Sequence, residues 1–206
     1  MNFYGTLREY ESSPPFTAGD EPLTVETVKE FLNLPVLSPV DDDKDIELDR
    51  MIVAARERAE QKQNRDIKLK QWRLSLDFWP CEIPLGRDPL VSVILVRYRD
   101  EDGDWHTLTE GTDYIVDLNK EPGIILPASD AFWPTAVLWP SSPIEIYFTA
   151  GFSDVTKIPK HILQGMLAWV SIWFNDKLPT GTAEEGGRQM RMADNLLSQG
   201  GREMVG

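Results

Sequence analysis

The sequence predicts an α+β protein: a helical core from N- and C-terminal helices, an inserted small antiparallel β domain, and extended termini. Three observations predict it. Apolar residues recur at helical spacing between residues 24 and 64. They alternate with polar ones from about 70 to 150. Helical spacing then returns at Pro159. The simplest arrangement packs the two helical ends together. The expected segments are an N-terminal arm (1–22), a helical hairpin (23–68), the inserted β domain (69–152), a long core helix (153–178), and a loop, short helix and tail (179–206).

Ser13-Pro14-Pro15 and Gly19-Asp20-Glu21-Pro22 break regular structure, hence the arm. Tyr4, Tyr10 and Phe16 could anchor it on a neighbour; a loosely tethered terminus fits equally. Thr24 reads as an N-cap, with Val25, Val28, Phe31 and Leu32 on one face of a short helix that Pro35 ends. Asp41, Asp42 and Asp43 read better as acids at a helix start than as a metal cluster, because they oppose the positive end of the dipole. The next helix is expected over 43–64. Leu48, Ile52, Ala55 and Ala59 form its narrow apolar seam.

Trp72, Leu74, Leu76 and Phe78 alternate with Arg73, Ser75 and Asp77, which predicts a half-buried strand. Pro80 and Pro84 bracket a short extended piece. Further strands are expected at 90–98, 105–108, 114–116, 123–126 and 144–149, with a hairpin turn at Asp100-Glu101-Asp102-Gly103-Asp104. Pro159 suits a helical first turn. Ile162, Leu163, Met166, Leu167, Val170 and Phe174 predict a broad apolar face over 159–177. Residues 179–187 read as a Gly-rich loop, and 188–199 as a last short helix with Met192, Leu196 and Leu197.

Composition narrows the function classes. The chain has 206 residues, enough for a sizeable core, and a net charge of −13. Duplex-DNA binders carry a basic face, so this chain does not resemble a generic one. Residues 1–49 hold 12 acidic and 3 basic side chains, most of the imbalance. The single cysteine, Cys81, excludes an internal disulfide framework. No apolar run has the length of a membrane span, and Met1 to Glu11 lacks the pattern of a signal peptide.

No catalytic constellation stands out. His106 and His161 lack metal-ligand spacing, and nothing places Cys81 beside either. Asp100, Asp102 and Asp104 suggest a calcium loop, but Gly111 stands where its glutamate should be, so a solvated hairpin tip is the better reading. The loop containing Gly181, Gly186 and Gly187 lacks the lysine and preceding strand of a phosphate cradle. Trp79, Trp133 and Trp139 each precede proline; they either form a protein interface or seal the edge of the β domain. Trp169 and Trp173 read as a helix-packing stripe. A carbohydrate-binding module stacking sugars on Trp79, Trp105, Trp133 or Trp139 is an alternative. A hydrolase with paired carboxylates has no pair to nominate.

The order of these patterns resembles the head–tail connector (adaptor, or head-completion) proteins of long-tailed double-stranded DNA bacteriophages, in the subtype with a β domain inserted in a helical core. The stretches that carry it are Leu23 to Leu32, Ile52 to Glu57, Asp88 to Val93, Asp113 to Asp117, Glu121 to Ile125, Phe132-Trp133-Pro134, Ile144 to Phe152, and Ile158 to Asp176. The resemblance implies a non-enzymatic virion protein without cofactor or metal. It would form a ring, usually of twelve copies, beneath the portal protein at the capsid vertex. That ring extends the DNA channel and docks the next neck or tail-completion protein. Double-stranded DNA would pass without sequence-specific binding, no membrane would be involved, and assembly would occur in the host bacterial cytoplasm. A neck or tail-completion protein further down is the near alternative.

In that family the C-terminal helix and tail reach into the portal. Here they correspond to about 189–206, with Arg191, Leu196, Leu197, Met204 and Val205 as contacts. Tyr4, Tyr10, Phe16, Trp133 and Trp139 are further neighbour-contact candidates. The departures are the long N-terminal arm, the Trp139–Pro143 stretch and the Gly-rich loop before the last helix.

Overall fold

The computed structural model describes residues 5–10, 21–35, 42–176 and 183–198. Its elements in chain order are β1 (Gly5–Glu9), α1 (Val25–Phe31), α2 (Asp42–Gln63), β2 (Lys70–Leu76), β3 (Ile83–Pro84), β4 (Leu90–Arg99), β5 (Trp105–Leu108), β6 (Tyr114–Asp117), β7 (Ile124–Pro127), β8 (Ile144–Ala150), α3 (Lys160–Asp176) and α4 (Ala183–Ser198). The architecture is α+β. The chain divides into two compact units, one of residues 1–15 and 68–152, the other of 16–67 and 153–206.

The β unit is built from two antiparallel sheets. The larger runs β1-β2-β8-β4-β5 and the smaller β3-β7-β6. Alternation along β2 and β8 puts Trp72, Leu74, Leu76, Ile144, Ile146 and Phe148 on the core side, where they meet Ile83, Leu85, Tyr114 and Ile125. Register carries this pattern across all five strands: Leu7 faces Leu74, Leu74 faces Ile146, Ile146 faces Val96, and Val96 faces Leu108. Register shifts in β4, between Leu90 and Ser92 and between Val93 and Leu95, leave Val91 and Ile94 exposed. This is why the start of β4 reads as apolar on both faces.

Within the segment read as an arm lies a strand, β1. Its five residues pair with β2 from Gly5↔Leu76 to Glu9↔Trp72. Its sequence offers one large apolar residue, Leu7, too little for a periodic signal. The pairing is fixed by the free edge of β2. Gly5 is required there, since a Cβ would lie 2.7 Å from the Ser75 carbonyl oxygen.

In the helical unit, Thr24 caps α1, its Oγ1 accepting from the Thr27 N–H at 3.2 Å. Replacing Thr24 by alanine is expected to lower stability by about 1 kcal/mol, read from the denaturation midpoint. Asn33 and Asn64 adopt left-handed backbone just beyond α1 and α2, as helix C-terminal residues often do. The α2 seam of Leu48, Ile52, Ala55 and Ala59 is fully buried, as are Ile162, Met166 and Val170 of α3. α4 starts at Ala183, five residues before the expected position, and runs through Gly186 and Gly187. Those glycines weaken helical propensity, which is why the sequence reads as a loop there; Ala193 and Leu197 are the buried residues of α4. Gly165 on α3 admits Leu197: a Cβ there would meet Leu197 Cδ2 at 2.5 Å.

Candidate functional site: an arginine–aromatic sheet face

The outer face of the five-stranded sheet carries what its sheet order brings together. Positions opposite the core row are Arg8 on β1, Arg73 on β2, Glu145 and Tyr147 on β8, Arg97 and Arg99 on β4, and Trp105 on β5. Tyr10 joins them by packing edge-on against Tyr147, centroids 5.0 Å apart. Trp139 joins through its backbone N–H, which donates to the Arg99 carbonyl.

The arginines are held in place. Arg97 donates to Glu145 at 2.6 and 3.0 Å and lies 4.3 Å over the Trp105 ring. Burial opposes its charge, but Glu145 and Tyr147 outweigh that and push its pKa above the ordinary value. Arg99 donates to the Gly103 carbonyl and sits 4.1 Å from the Trp139 ring. Such cation–π contacts orient guanidinium planes while leaving N–H edges outward. Trp105, Trp139 and Tyr10 remain 42%, 37% and 39% exposed.

The hairpin tip beside this face is an ordered turn. Asp100 Oδ1 accepts from the Asp104 N–H, and Asp100 Oδ2 lies 2.6 Å from His106 Nε2. The His106 hydrogen bond, with the backbone one, holds the Asp100 carboxyl below its usual pKa. The Asp100 carboxylate therefore builds the turn, which Asp104 joins through its backbone. Among the described residues, no group of three His, Cys, Asp or Glu side chains is arranged to hold a metal ion. No helix among them is long and apolar enough to cross a membrane.

Of the ten candidate contact residues, six are described: Tyr10, Trp133 and Trp139 in the β unit, and Arg191, Leu196 and Leu197 on α4. Tyr10 and Trp139 lie on the sheet face. Trp133 stacks on Trp79 at 4.6 Å, and its Nε1 donates to the Pro80 carbonyl at 2.7 Å. Those two Trp-Pro elements seal the β unit. The stacking also occupies a ring face of each that a sugar would need. On α4, Arg191 is exposed and Leu196 half-buried. Leu197 is fully buried against Gly165 in its own unit. Tyr4, Phe16, Met204 and Val205 lie outside the described residues.

Phe132, 92% exposed beside the anchored Trp133, is not among the contact candidates that the sequence offers. A second feature of that kind is in the helical unit. A groove of about 520 Å³ is lined by Asp43, Glu47, Arg50, Met51, Ala54 and Trp173.

No family model matches the chain, and no curated protein matches it in sequence. Solved structures do share its fold. A chain of the virion of a native gene transfer agent (GTA) particle superposes with a TM-score of 0.68 at 18% identity, over 97% of this chain and 98% of that one. A chain of the neck of an empty GTA particle, computed with C6 symmetry, gives 0.68 at 19% identity over 98% of both. One from the neck of a native GTA particle, computed with C12 symmetry, gives 0.63 at 21% over 98% of both. The class thus defined is an α+β fold that also occurs in particle neck structures.

Proposed function

We propose that this chain is a structural component of a phage-like particle neck: a head–tail connector that forms a ring beneath the portal, extends the DNA channel and docks the next neck or tail-completion protein. One observation carries the reading. The likeness to neck chains runs over essentially the whole length of both partners, helical and β parts together. The rotational symmetries of those necks suit a ring of identical subunits. A ring subunit needs lateral surfaces and no catalytic centre. The arginine–aromatic face and the α2–α3 groove are surfaces of that type. A wall that lets a duplex slide should hold phosphates weakly, which a chain of net charge −13 suits.

The test is co-expression with the portal protein of the same particle, followed by affinity purification and negative-stain microscopy. The expected result is ring-shaped complexes that retain the portal. A strictly monomeric chain that leaves portal and procapsids unbound would overturn the reading. Rings that bind a tail-side partner and ignore the portal would place the protein lower in the neck.

A further inference from the structure

We infer that the outer face of the five-stranded sheet docks on the acidic first half of α2 in a second copy of this chain, making a head-to-tail contact. The inference rests on the ring reading above and specifies its lateral surfaces.

Charge is the first reason. The chain is acidic overall, yet the charged side chains on this face are Arg8, Arg73, Arg97 and Arg99 against the single Glu145. Residues 43–49 of α2 lean the other way: Asp43, Glu47 and Asp49 against Lys44, with Asp45 engaged by Lys29. The groove lined by Met51, Ala54 and Trp173 beside Asp43, Glu47 and one cation, Arg50, adds an apolar seat.

Strain is the second. Arg8 lies directly across from Arg73 in the β1–β2 register. Like charges in that position destabilise a sheet. Of this pair, the Glu145 carboxylate that holds Arg97 also reaches Arg73, at 3.7 Å, and among the described residues no carboxylate pairs with Arg8. An anionic partner would relieve the pair.

Composition is the third. Arginine, tryptophan and tyrosine are the residues enriched in protein hot spots, and this face presents them already oriented by ring stacking. A polyanion such as DNA fits less well, because Asp100, Glu101, Asp102 and Asp104 crowd the end of the face beside Arg99 and Trp105. A heterologous contact of this kind closes into a ring when its rotation permits.

The test uses the full-length chain, with assembly followed by native mass spectrometry and negative-stain microscopy. Arg8→Glu should raise the melting temperature by about 1–3 °C, because the new carboxylate faces Arg73. It should also weaken ring assembly by about tenfold. Asp43→Arg with Glu47→Arg should weaken assembly similarly. The triple variant should recover assembly to within about threefold of the parent. Rings of unchanged affinity in both parent variants, or no recovery in a folded triple variant, would overturn the inference and leave the ring reading intact. Duplex binding that Arg8→Glu weakens while rings persist would do the same. A parent chain that never assembles would remove both.

Discussion

Gly151→Ala is expected to lower stability by about 3–5 kcal/mol, close to the whole margin of many domains. Gly151 ends β8 with φ +117°, a conformation alanine enters only with strain. Its N–H donates to the Pro89 carbonyl at 2.9 Å. A Cβ would press into the backbone of Lys68, 2.6 Å from its carbonyl carbon, and come within 2.9 Å of the Leu69 nitrogen. Neither neighbour is the tip of a flexible side chain, so relief requires moving β8 or the start of β2. Gly111 is the control. Its φ is also positive, but nothing lies within 4 Å of its Cβ position. Gly111→Ala should cost only about 1 kcal/mol. Urea titration of both variants decides: equal losses would show that backbone crowding at Gly151 is not the cause.

Arg56→Ala comes second, with an expected loss of about 3–5 kcal/mol. Arg56 is 4% exposed and Glu60 5%. The guanidinium donates to Glu60 Oε2 at 2.8 Å and to Glu21 Oε2 at 2.9 Å. Glu60 Oε1 accepts from the Ile67 N–H at 2.9 Å. Removing the arginine strips a buried carboxylate of this cation while the backbone bond still holds it in place. The magnitude therefore reflects what losing this cation costs a buried carboxylate more than the worth of the pair. Adding Glu60→Gln to Arg56→Ala should recover part of the loss, since the amide oxygen can still accept from Ile67. A single-variant loss under about 1 kcal/mol in chemical denaturation would show that water reaches the cluster.

Both effects arise from neighbours that the sequence does not place side by side, which also explains what was legible in it. α2 and α3 are found within a residue or so, because apolar spacing agrees with acids at one start and Pro159 at the other. β2 and β8 are plain from alternation. β1 is not, because a single Leu7 carries no period and its strand character comes from β2. α4 is placed by the fit of Leu197 into the notch at Gly165, a match between residues far apart in the chain, and its start before Gly186 and Gly187 is not readable from propensity.

The sheet face was legible only in fragments. Arg73 and Trp105 stand at readable alternate positions. Their meeting with Arg8, Arg97 and Trp139 depends on the order β1-β2-β8-β4-β5, which no local pattern encodes. The Trp-Pro question left open by sequence divides by geometry: Trp79 and Trp133 stack on each other, while Trp139 lies against Arg99.

The discontinuous helical unit has a consequence for the ribosome. Its first half, residues 16–67, emerges before the larger part of the β unit, residues 68–152, and its second half only after residue 152. At about 5–20 residues per second, segment 68–152 takes roughly 4–17 seconds to synthesise. Throughout that interval the Leu48, Ile52, Ala55 and Ala59 seam waits without α3. A narrow seam with two alanines, on a helix otherwise dense in charge, exposes little that a neighbouring nascent chain could seize. The sparse apolar face of α2 is thus suited to a helix that must stay soluble until its partner has been translated.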